Sequence, residues 1–287
     1  MDRDKQDFIS EFESPVFYRI FYWYTLTLFR RRFRCVWLDD RAVRNGSQST
    51  LYIGNHNSWW DALIPLLLNE RVFHQQARAI MDEDQLQTYP FFRRLGVFSI
   101  NRQHPRKALK SLQHAADLLN GAGSDPASAA HSAAHSATHS ATHSATHSAT
   151  HSAAGSGADP ANRSQTGYSS RSRPIGLWFY PEGKLVHPQT TITLEGGIEW
   201  LAGKLDPAKN KIIPFATHMH TMRSDKPELF IRIGEELDIR MFRKEWDAVR
   251  TARLMEQLRD SCRVDSARFN ESGESEAGFR LLLGRKP

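Results

Sequence analysis

The residues with the clearest potential for chemistry are His56 and Asp61, which form a His-x4-Asp pair in the segment NHNSWWD. The apolar run at 51–53 predicts a strand that ends just before the histidine, and the pattern at about 60–70 predicts a helix. A turn from a strand into a helix can fold the carboxylate back onto one ring nitrogen of His56. The other ring nitrogen would then be free to act as a general base.

The His-x4-Asp spacing alone is a weak signal, because it occurs twice in the chain. The second pair, His220 and Asp225, follows no comparable junction between a strand and a helix, and we interpret it as a chance match. For His56 taken alone, a structural role such as capping a helix stays open. The chain has no Gly-x-Ser-x-Gly, P-loop or Gly-x-Gly-x-x-Gly motif, which argues against a serine hydrolase and against a nucleotide-binding enzyme.

Three further segments each end a predicted strand with residues that suit a binding site. GVFSINR ends with Arg102, whose guanidinium is a good donor to phosphate. WFYPEGK contains the carboxylate of Glu182 and then Gly183, which permits close approach of the backbone. IIPF at 212–215 ends the third strand. Each segment also has a simpler interpretation: a surface salt bridge, a turn and an edge residue, respectively.

Taken together and in this order, the four segments resemble the glycerolipid acyltransferase family typified by 1-acylglycerol-3-phosphate acyltransferase. The family has a His-x4-Asp block, a Gly-x5-Arg block, a Phe-Pro-Glu-Gly block and a late aliphatic-Pro block. The corresponding segments here are NHNSWWD, GVFSINR, YPEGK and IIPF. The resemblance covers about residues 45–235 apart from an insertion, and four blocks in the same order make it specific.

The resemblance implies an O-acyltransferase in which His56 deprotonates a hydroxyl of the acceptor while Asp61 orients the imidazole. The resulting nucleophile would attack the thioester of acyl-CoA or of an acyl-carrier protein. The residues expected to bind and shape the acceptor come from the second and third blocks and are Arg102, Glu182, Gly183 and Lys184. Because a positioned alcohol attacks a thioester readily, we expect no metal and no cofactor other than the acyl donor, which is a substrate.

Two departures from the family pattern bear on the acceptor. The third block often continues with Thr-Arg, but here Lys184 follows the glycine, so a point charge replaces a forked guanidinium. The fourth block has Phe215 where a small aliphatic residue is usual. Our first choice of acceptor is the lysophospholipid 1-acylglycerol 3-phosphate, with another lysolipid, a glycolipid or a hydroxylated terpenoid as alternatives. Outside the enzymes, the alternative is a peripheral membrane protein or a His-rich metal-binding protein without activity.

Alternating strand-like and helix-like patterns predict an α/β fold, with a largely parallel sheet and crossover helices that would place sites at the carboxyl ends of strands. The predicted strands are 51–53, 77–81, 97–100, 175–180, 211–215 and 229–233. The predicted helices that follow the amino-terminal one are 60–70, 84–95, 105–120, 192–205 and 244–263.

Residues 121–174 consist mainly of Ala, Ser, His, Thr and Gly, and an HSAT or HSAA repeat holds six of the chain's 13 histidines. This segment has no aliphatic side chain larger than Ala, so we predict a disordered insertion. A spacing of four residues could instead align six imidazoles on one helix face for Zn or Ni. Ser and Thr are poor helix formers, however, and we predict no metal site there.

The segment at 15–34 predicts an aromatic helix with a basic end, PVFYRIFYWYTLTLFRRRFR. Its longest uncharged run, at 20–29, is too short to cross a bilayer. Trp, Tyr and Arg favour the level of the lipid headgroups, so contact with a membrane surface is one interpretation. The other is a helix that packs on its own domain.

The composition limits the remaining classes of protein. With 287 residues, 40% of them hydrophobic and 24% charged, the chain is neither wholly disordered nor a multi-spanning membrane protein. A net charge of +6 suggests anionic partners, but without a recognition motif we predict acidic lipid and a phosphorylated acceptor, and no nucleic acid. Two cysteines suggest a reducing compartment. We therefore predict a peripheral or monotopic protein at the cytoplasmic face of a membrane.

The predicted organisation has four parts. Residues 1–44 form a helical segment that contacts the membrane, and 45–120 form the first part of the acyltransferase domain. Residues 121–174 form the insertion, and 175–287 form the second part of the domain.

Overall fold

An eight-stranded sheet is the centre of the computed structural model, which describes residues 8–42, 48–121, 173–221, 224–244, 247–272 and 278–284. The strands are β1 (Cys35–Asp39), β2 (Ser49–Gly54), β3 (Gln76–Asp82), β4 (Val97–Ile100), β5 (Ile175–Phe179), β6 (Asn210–His220), β7 (Glu228–Ile233) and β8 (Arg280–Gly284). Their order is β4-β3-β5-β2-β6-β7-β1-β8, and neighbours run parallel except in the pairs β6–β7 and β1–β8. The predicted α/β fold with a largely parallel sheet is confirmed.

Helices cover both faces of this sheet. They are α1 (Pro15–Arg32), α2 (Ile64–Leu68), α3 (Glu83–Thr88), α4 (Pro105–Asn120), α5 (Ile198–Lys204), α6 (Ile239–Lys244) and α7 (Ala248–Ser272). Strand β2 shows how the period of two in a strand builds the layers: Tyr52 packs on one face, while Leu51 and Ile53 pack on the other. The face of Tyr52 carries α1 and α2, and the opposite face carries α4, α5 and α7.

Proline and glycine interrupt three of the predicted helices. The helix predicted at 60–70 is a 3-10 helix at Trp59–Ala62, then α2 with Pro65 in its first turn, then a π-helical turn at Asn69–Phe73. The helix predicted at 84–95 ends at Thr88, and Pro90 begins a 3-10 helix. The helix predicted at 192–205 begins only at Ile198, directly after two glycines.

Strands β1 and β8 were not among the predicted strands, and β6 is longer than predicted. All five residues of β1 are buried, so its sequence CVWLD lacks the alternation that marks a half-exposed strand. It also follows a basic helix end directly, which hid its beginning. Strand β8 pairs with β1 in the antiparallel direction, and it forms one edge of the sheet.

The long amino-terminal helix α1 begins with Ser14, whose side chain accepts a hydrogen bond from the backbone N–H of Phe17. Its buried residues include Leu26 and Phe29, which belong to the core on the Tyr52 face of the sheet. Its opposite face stays exposed. The packing interpretation of this helix is therefore confirmed for one face, and the other face is available for a partner.

The insertion and the four-part division cannot be judged from the described residues. The histidine repeat lies wholly within 122–172, outside the described residues. The boundaries at 44, 120 and 174 stay predictions.

Gly54, the last residue of β2, is required by the side chain of its cross-strand partner Phe215. A Cβ atom at this glycine would lie 2.1–2.6 Å from three atoms of the phenyl ring. Phe215 is buried and makes edge contacts with the rings of Trp178 and Tyr180. The large residue in the fourth block, Phe215, is thus accommodated by the absence of a side chain at the end of β2.

We expect Gly54→Ala to lower the free energy of unfolding by about 1–3 kcal/mol, because the added methyl group overpacks a rigid ring environment. Gly203→Ala is the matched control, since a Cβ at this exposed position in α5 meets no atom within 4 Å. The control should be neutral or slightly stabilising, because Ala is the better helix former. Chemical denaturation measures both, and an equal effect of the two variants would contradict the steric account.

Candidate active site

The turn between β2 and the 3-10 helix brings His56 and Asp61 into direct contact. The Nδ1 atom of His56 lies 3.1 Å from Oδ2 of Asp61. Asp61 is fully buried, whereas the side chain of His56 is 24% exposed. A carboxylate can only accept, so Nδ1 carries the proton of this hydrogen bond and Nε2 presents its lone pair. Within the described residues Nε2 has no hydrogen-bond partner, which is the arrangement that a general base requires.

Three N–H groups converge on a single oxygen of Asp61. Besides the imidazole, the backbone N–H groups of Asn57 and Ser58 donate to Oδ2, at 3.0 and 2.9 Å. The hydroxyl of Ser58 accepts from the N–H of Trp60 at 3.1 Å, and Ser58 and Asp61 together form a capping box around the turn. The same carboxylate therefore shapes the backbone of the turn and orients the histidine that the turn carries.

Thr217 closes the other side of this carboxylate. Its hydroxyl lies 3.4 Å from Oδ1 of Asp61, and its backbone N–H donates to Oδ1 of Asn55 at 3.1 Å. Thr217 lies on β6, two residues beyond Phe215, so the pairing of β6 with β2 brings it beside the turn that carries His56 and Asp61. Nothing in the linear sequence relates Thr217 to the His-x4-Asp pair, so it was not among the predicted site residues.

Tyr180, the first residue of YPEGK, supports one face of the imidazole ring of His56. Its ring stacks on the imidazole of His56, with ring centroids 4.6 Å apart, and its hydroxyl donates to the carbonyl oxygen of Asp61 at 2.6 Å. Desolvation by burial, and then the charge of Asp61, raise the pKa of this hydroxyl well above its usual value. The block was recognised from the sequence, but the role of its aromatic position was not.

Glu182 is buried beneath the backbone of His56 and does not face solvent. Its Oε2 accepts the backbone N–H of His56 at 2.6 Å, and only 3% of the residue is exposed. Burial raises the pKa of this carboxyl, while the hydrogen bond from His56 opposes the shift. The geometry therefore indicates that Glu182 positions the loop of His56. The role predicted from the sequence was a different one, in which Glu182 helps to shape the acceptor site.

Arg102 and Gly183 lie side by side, as the second and third blocks would require for a shared site. Gly183 adopts a φ of 66°, and a Cβ there would lie 2.6 Å from Nη1 of Arg102. Arg102 also forms salt bridges with Asp82, at 3.3 Å, and with Glu195, at 3.7 Å. The simpler interpretation of Arg102 as part of a surface salt bridge is thus observed, and its side chain remains 36% exposed.

Lys184 is exposed on the turn that follows Gly183, and within the described residues it has no ion-pair partner. The segment beyond it returns to the turn that carries His56, because the N–H of Val186 donates to the carbonyl oxygen of His56 at 2.9 Å. The lysine therefore belongs to a loop that is anchored at the histidine.

The second His-x4-Asp pair has different surroundings. The ring of His220 stacks on Phe230 with centroids 5.0 Å apart, and Nδ2 of Asn270 lies 2.8 Å from its Nε2. Asp225 accepts a hydrogen bond from the hydroxyl of Ser224 at 2.9 Å.

In the described part of the chain, no three His, Cys, Asp or Glu side chains converge as a metal site would require. Likewise, none of the described helices is long and apolar enough to span a membrane. The expectation that the chemistry needs no metal or cofactor stays a prediction.

Comparison with known proteins relates this site to one family. Residues 20–124 match the family model described as Acyltransferase, and this range includes the His-x4-Asp and Gly-x5-Arg segments. Over these residues the chain is similar to the acyltransferase family. The acyltransferase match supports an enzyme, and His56, Asp61 and Arg102 all lie in the matched range.

The curated proteins and the solved structures give two further comparisons. No curated protein matches the chain significantly. One similar solved structure is the crystal structure of the 1-acyl-sn-glycerophosphate (LPA) acyltransferase PlsC from Thermotoga maritima. It shares 11% sequence identity and a TM-score of 0.46, over 86% of this chain and 79% of that chain.

We expect Glu182→Leu to lower kcat by about tenfold or more, because it leaves the backbone N–H of His56 without an acceptor and loosens the base. Glu182→Gln keeps an acceptor oxygen and should remain near the wild-type kcat. Steady-state kinetics separate kcat from KM, and thermal melting checks that both variants fold. If the Leu and Gln variants lost activity equally, the carboxylate charge would matter more than the hydrogen bond.

Proposed function

We propose that the protein transfers a fatty acyl group from an acyl thioester to a hydroxyl of a lysophospholipid, with 1-acylglycerol 3-phosphate as the first choice of acceptor. The donor would be acyl-CoA or an acyl-carrier protein. One observation carries this proposal: within an acyltransferase-family segment, a buried carboxylate orients a histidine whose Nε2 is free to accept a proton.

The mechanism that this geometry supports begins with the acceptor hydroxyl at Nε2 of His56. The imidazole takes the hydroxyl proton as the oxygen attacks the thioester carbonyl, so that a C–O bond forms and a tetrahedral oxyanion develops. Collapse of this intermediate breaks the C–S bond, and the imidazolium returns the proton to the leaving thiolate. The products are an ester and a free thiol, and His56 is neutral again.

The surroundings of His56 suit this proton cycle. When the ring becomes positively charged, the carboxylate of Asp61 is 3.1 Å away and stabilises that charge. Tyr180 beneath the ring and Glu182 behind its backbone limit the movement of the imidazole. A base held in this way loses little entropy when the reacting groups come together.

The acceptor's phosphate is proposed to bind at Arg102 and Lys184. Arg102 lies against Gly183, whose missing side chain leaves the guanidinium close to the backbone of the third block. Asp82 and Glu195 hold the guanidinium in place, and its exposed part can still donate to an anion. Lys184 adds a second positive charge from the adjoining turn.

The exposed face of α1 is proposed to lie at a membrane surface, where such an enzyme meets its acceptor. Ile20, Trp23 and Tyr24 are 64%, 60% and 54% exposed, and Val16 continues the same face one turn earlier. Three arginines form the last turn of this helix, at 30–32. Aromatic side chains beside basic ones match the interfacial region of an anionic bilayer. The cytoplasmic leaflet remains our prediction from the sequence.

We expect His56→Ala to lower the rate of acyl transfer from acyl-CoA to 1-acylglycerol 3-phosphate by about a thousandfold or more, because the reaction loses its general base. His220→Ala tests the second pair and should keep kcat. Mass spectrometry of the lipid product measures the transfer. Undiminished turnover by a folded His56→Ala variant would refute the catalytic assignment.

Arg102→Ala should raise the KM for a phosphorylated acceptor by about tenfold, because it removes a charge-assisted hydrogen bond, and should leave the KM for the donor unchanged. The control is Arg106→Ala, which removes the same charge from an exposed position nearby in α4. Monoacylglycerol, which has no phosphate, gives a second comparison. An unchanged KM for 1-acylglycerol 3-phosphate would favour an acceptor without phosphate.

The double substitution Ile20→Ser and Trp23→Ser should weaken binding to vesicles of phosphatidylglycerol and phosphatidylcholine by about tenfold, because it removes two apolar side chains from the interface. Val249→Ser with Val264→Ser is the control, since these exposed valines lie on α7. Co-sedimentation measures the binding. Equal retention of all variants on vesicles would argue against α1 as the contact.

A further inference from the structure

A cavity of about 720 Å³ lies at the end of α1, outside the site described above. It is bordered by the beginning of β1 at Cys35 and by the last residue of β8, Gly284. This volume falls in the range of cavities that hold small ligands. Nothing in the four sequence blocks points to it.

The rim of this cavity carries four positive charges, from Arg30, Arg34, Arg71 and Lys226. They come from four places in the chain: the last turn of α1, the residue before β1, the π-helical turn and the residues before β7. Helix-end electrostatics accounts only for Arg30. The fold therefore gathers the other three cations around the same space.

Few negative charges offset these cations. Among the residues that the structure describes, no Asp or Glu lines the cavity. Oε1 of Glu228 lies 3.7 Å from Nε of Arg34, and Nε of Arg71 donates to the hydroxyl of Tyr22 at 3.3 Å. Within the described residues, Arg30 and Lys226 have no carboxylate partner. Such a rim favours an anion with several oxygens, of which phosphate is the common biological example.

The remaining walls of the cavity are apolar. Phe29, Phe33, Val36 and Leu283 are buried, and Leu282 is half-buried. A simple inorganic anion would gain nothing from these side chains. A ligand that joins a phosphate to an alkyl or acyl chain would use both parts of the cavity.

The topology places this cavity and His56 at the same end of the strands. Strand β1 runs antiparallel to β2, so β1 begins at the end of the sheet where β2 finishes. In the strand order, β4 with Arg102 lies three positions from β2 on one side, and β1 lies three positions away on the other. With strands about 4.8 Å apart, each is roughly 14 Å from β2.

The cavity also adjoins the catalytic turn through aromatic contacts. The ring of Trp60 packs edge-on against Phe29 and Phe33, with centroids 5.3 and 4.9 Å apart. These two phenylalanines line the cavity, and Trp60 directly precedes Asp61. An occupant of the cavity would therefore contact the side chains that support the turn.

We propose that this cavity is a binding site for a phosphate-bearing amphiphile, separate from the site at Arg102. The phosphate binds among Arg30, Arg34, Arg71 and Lys226, and the chain lies along the apolar wall. Two sources provide this chemistry: the headgroup of an anionic phospholipid and the phosphates of an acyl-CoA. The proposal concerns binding, so it can be tested whether or not the acyl transfer proposed above takes place.

The test is equilibrium binding of soluble short-chain probes, dihexanoyl phosphatidic acid and hexanoyl-CoA, measured by titration calorimetry below their micellar concentrations. Arg30→Gln with Lys226→Gln should weaken at least one probe by about tenfold or more, because two charge-assisted contacts are lost. The matched control is Arg31→Gln with Arg32→Gln. It removes two charges from the same turn of α1, and neither residue lines the cavity.

The two probes distinguish the sources. Loss of phosphatidic acid binding assigns the site to a lipid headgroup, and loss of hexanoyl-CoA binding assigns it to a donor. Arg102→Ala should preserve the affinity that the cavity variant loses. Glycerol 3-phosphate and free CoA, which lack the chain, should bind about tenfold more weakly or worse than their acylated counterparts, since each buried methylene contributes roughly fourfold.

Three results would overturn the proposal. The first is equal affinity of the wild type, the cavity variant and the control for both probes. The second is loss of the same binding in Arg102→Ala, which would mean a single site. The third is equal affinity for acylated and chain-free probes, which would exclude an amphiphile. Thermal melting of each variant, checked beforehand, ensures that a lost signal reports on binding.

Discussion

The buried carboxylate of Asp61 is the constraint on which the rest of the site depends. It accepts the N–H groups of Asn57 and Ser58 as well as the imidazole, so one charged group both closes the turn and orients His56. A carboxylate that is fully buried is costly unless its oxygens are satisfied. The turn supplies those donors, and Thr217 approaches the second oxygen from β6. The orientation of His56 and the local fold of the turn therefore depend on the same set of hydrogen bonds.

Side chains that follow a neighbouring strand and side chains from the helical layer both support this turn. From the neighbouring β5, the chain continues into Tyr180 beneath the imidazole and Glu182 behind its backbone. From the helical layer, Phe29 and Phe33 pack against Trp60. The helix that presents aromatic side chains to solvent on one face thus supports the turn of His56 and Asp61 with the other.

Positive charges also cluster at the end of the sheet where β2 finishes. They lie on both sides of His56, at Arg102 and at the cavity beside β1. With acyl-CoA as the donor, both substrates in the proposed reaction are anionic amphiphiles, and a histidine between two cationic regions suits a transfer from one to the other. The antiparallel pair β6–β7 makes this possible, because it reverses the direction of β7 and of its parallel neighbour β1, so that β1 begins where the parallel strands end.

Sequence alone was sufficient for the α/β class, the strand before His56 and the His56–Asp61 contact, because these depend on local periodicity and on residues five apart. It also singled out Arg102 and Gly183 as one site, but only through the resemblance between blocks. The tertiary structure decided what long-range packing controls: Glu182 turned out to be buried, and Thr217 to be a partner of the carboxylate. Strand β1 was missed because full burial removes the alternation that reveals a strand. The cationic cavity could not be predicted from the sequence, because its four cations become neighbours only when distant segments meet at one end of the sheet.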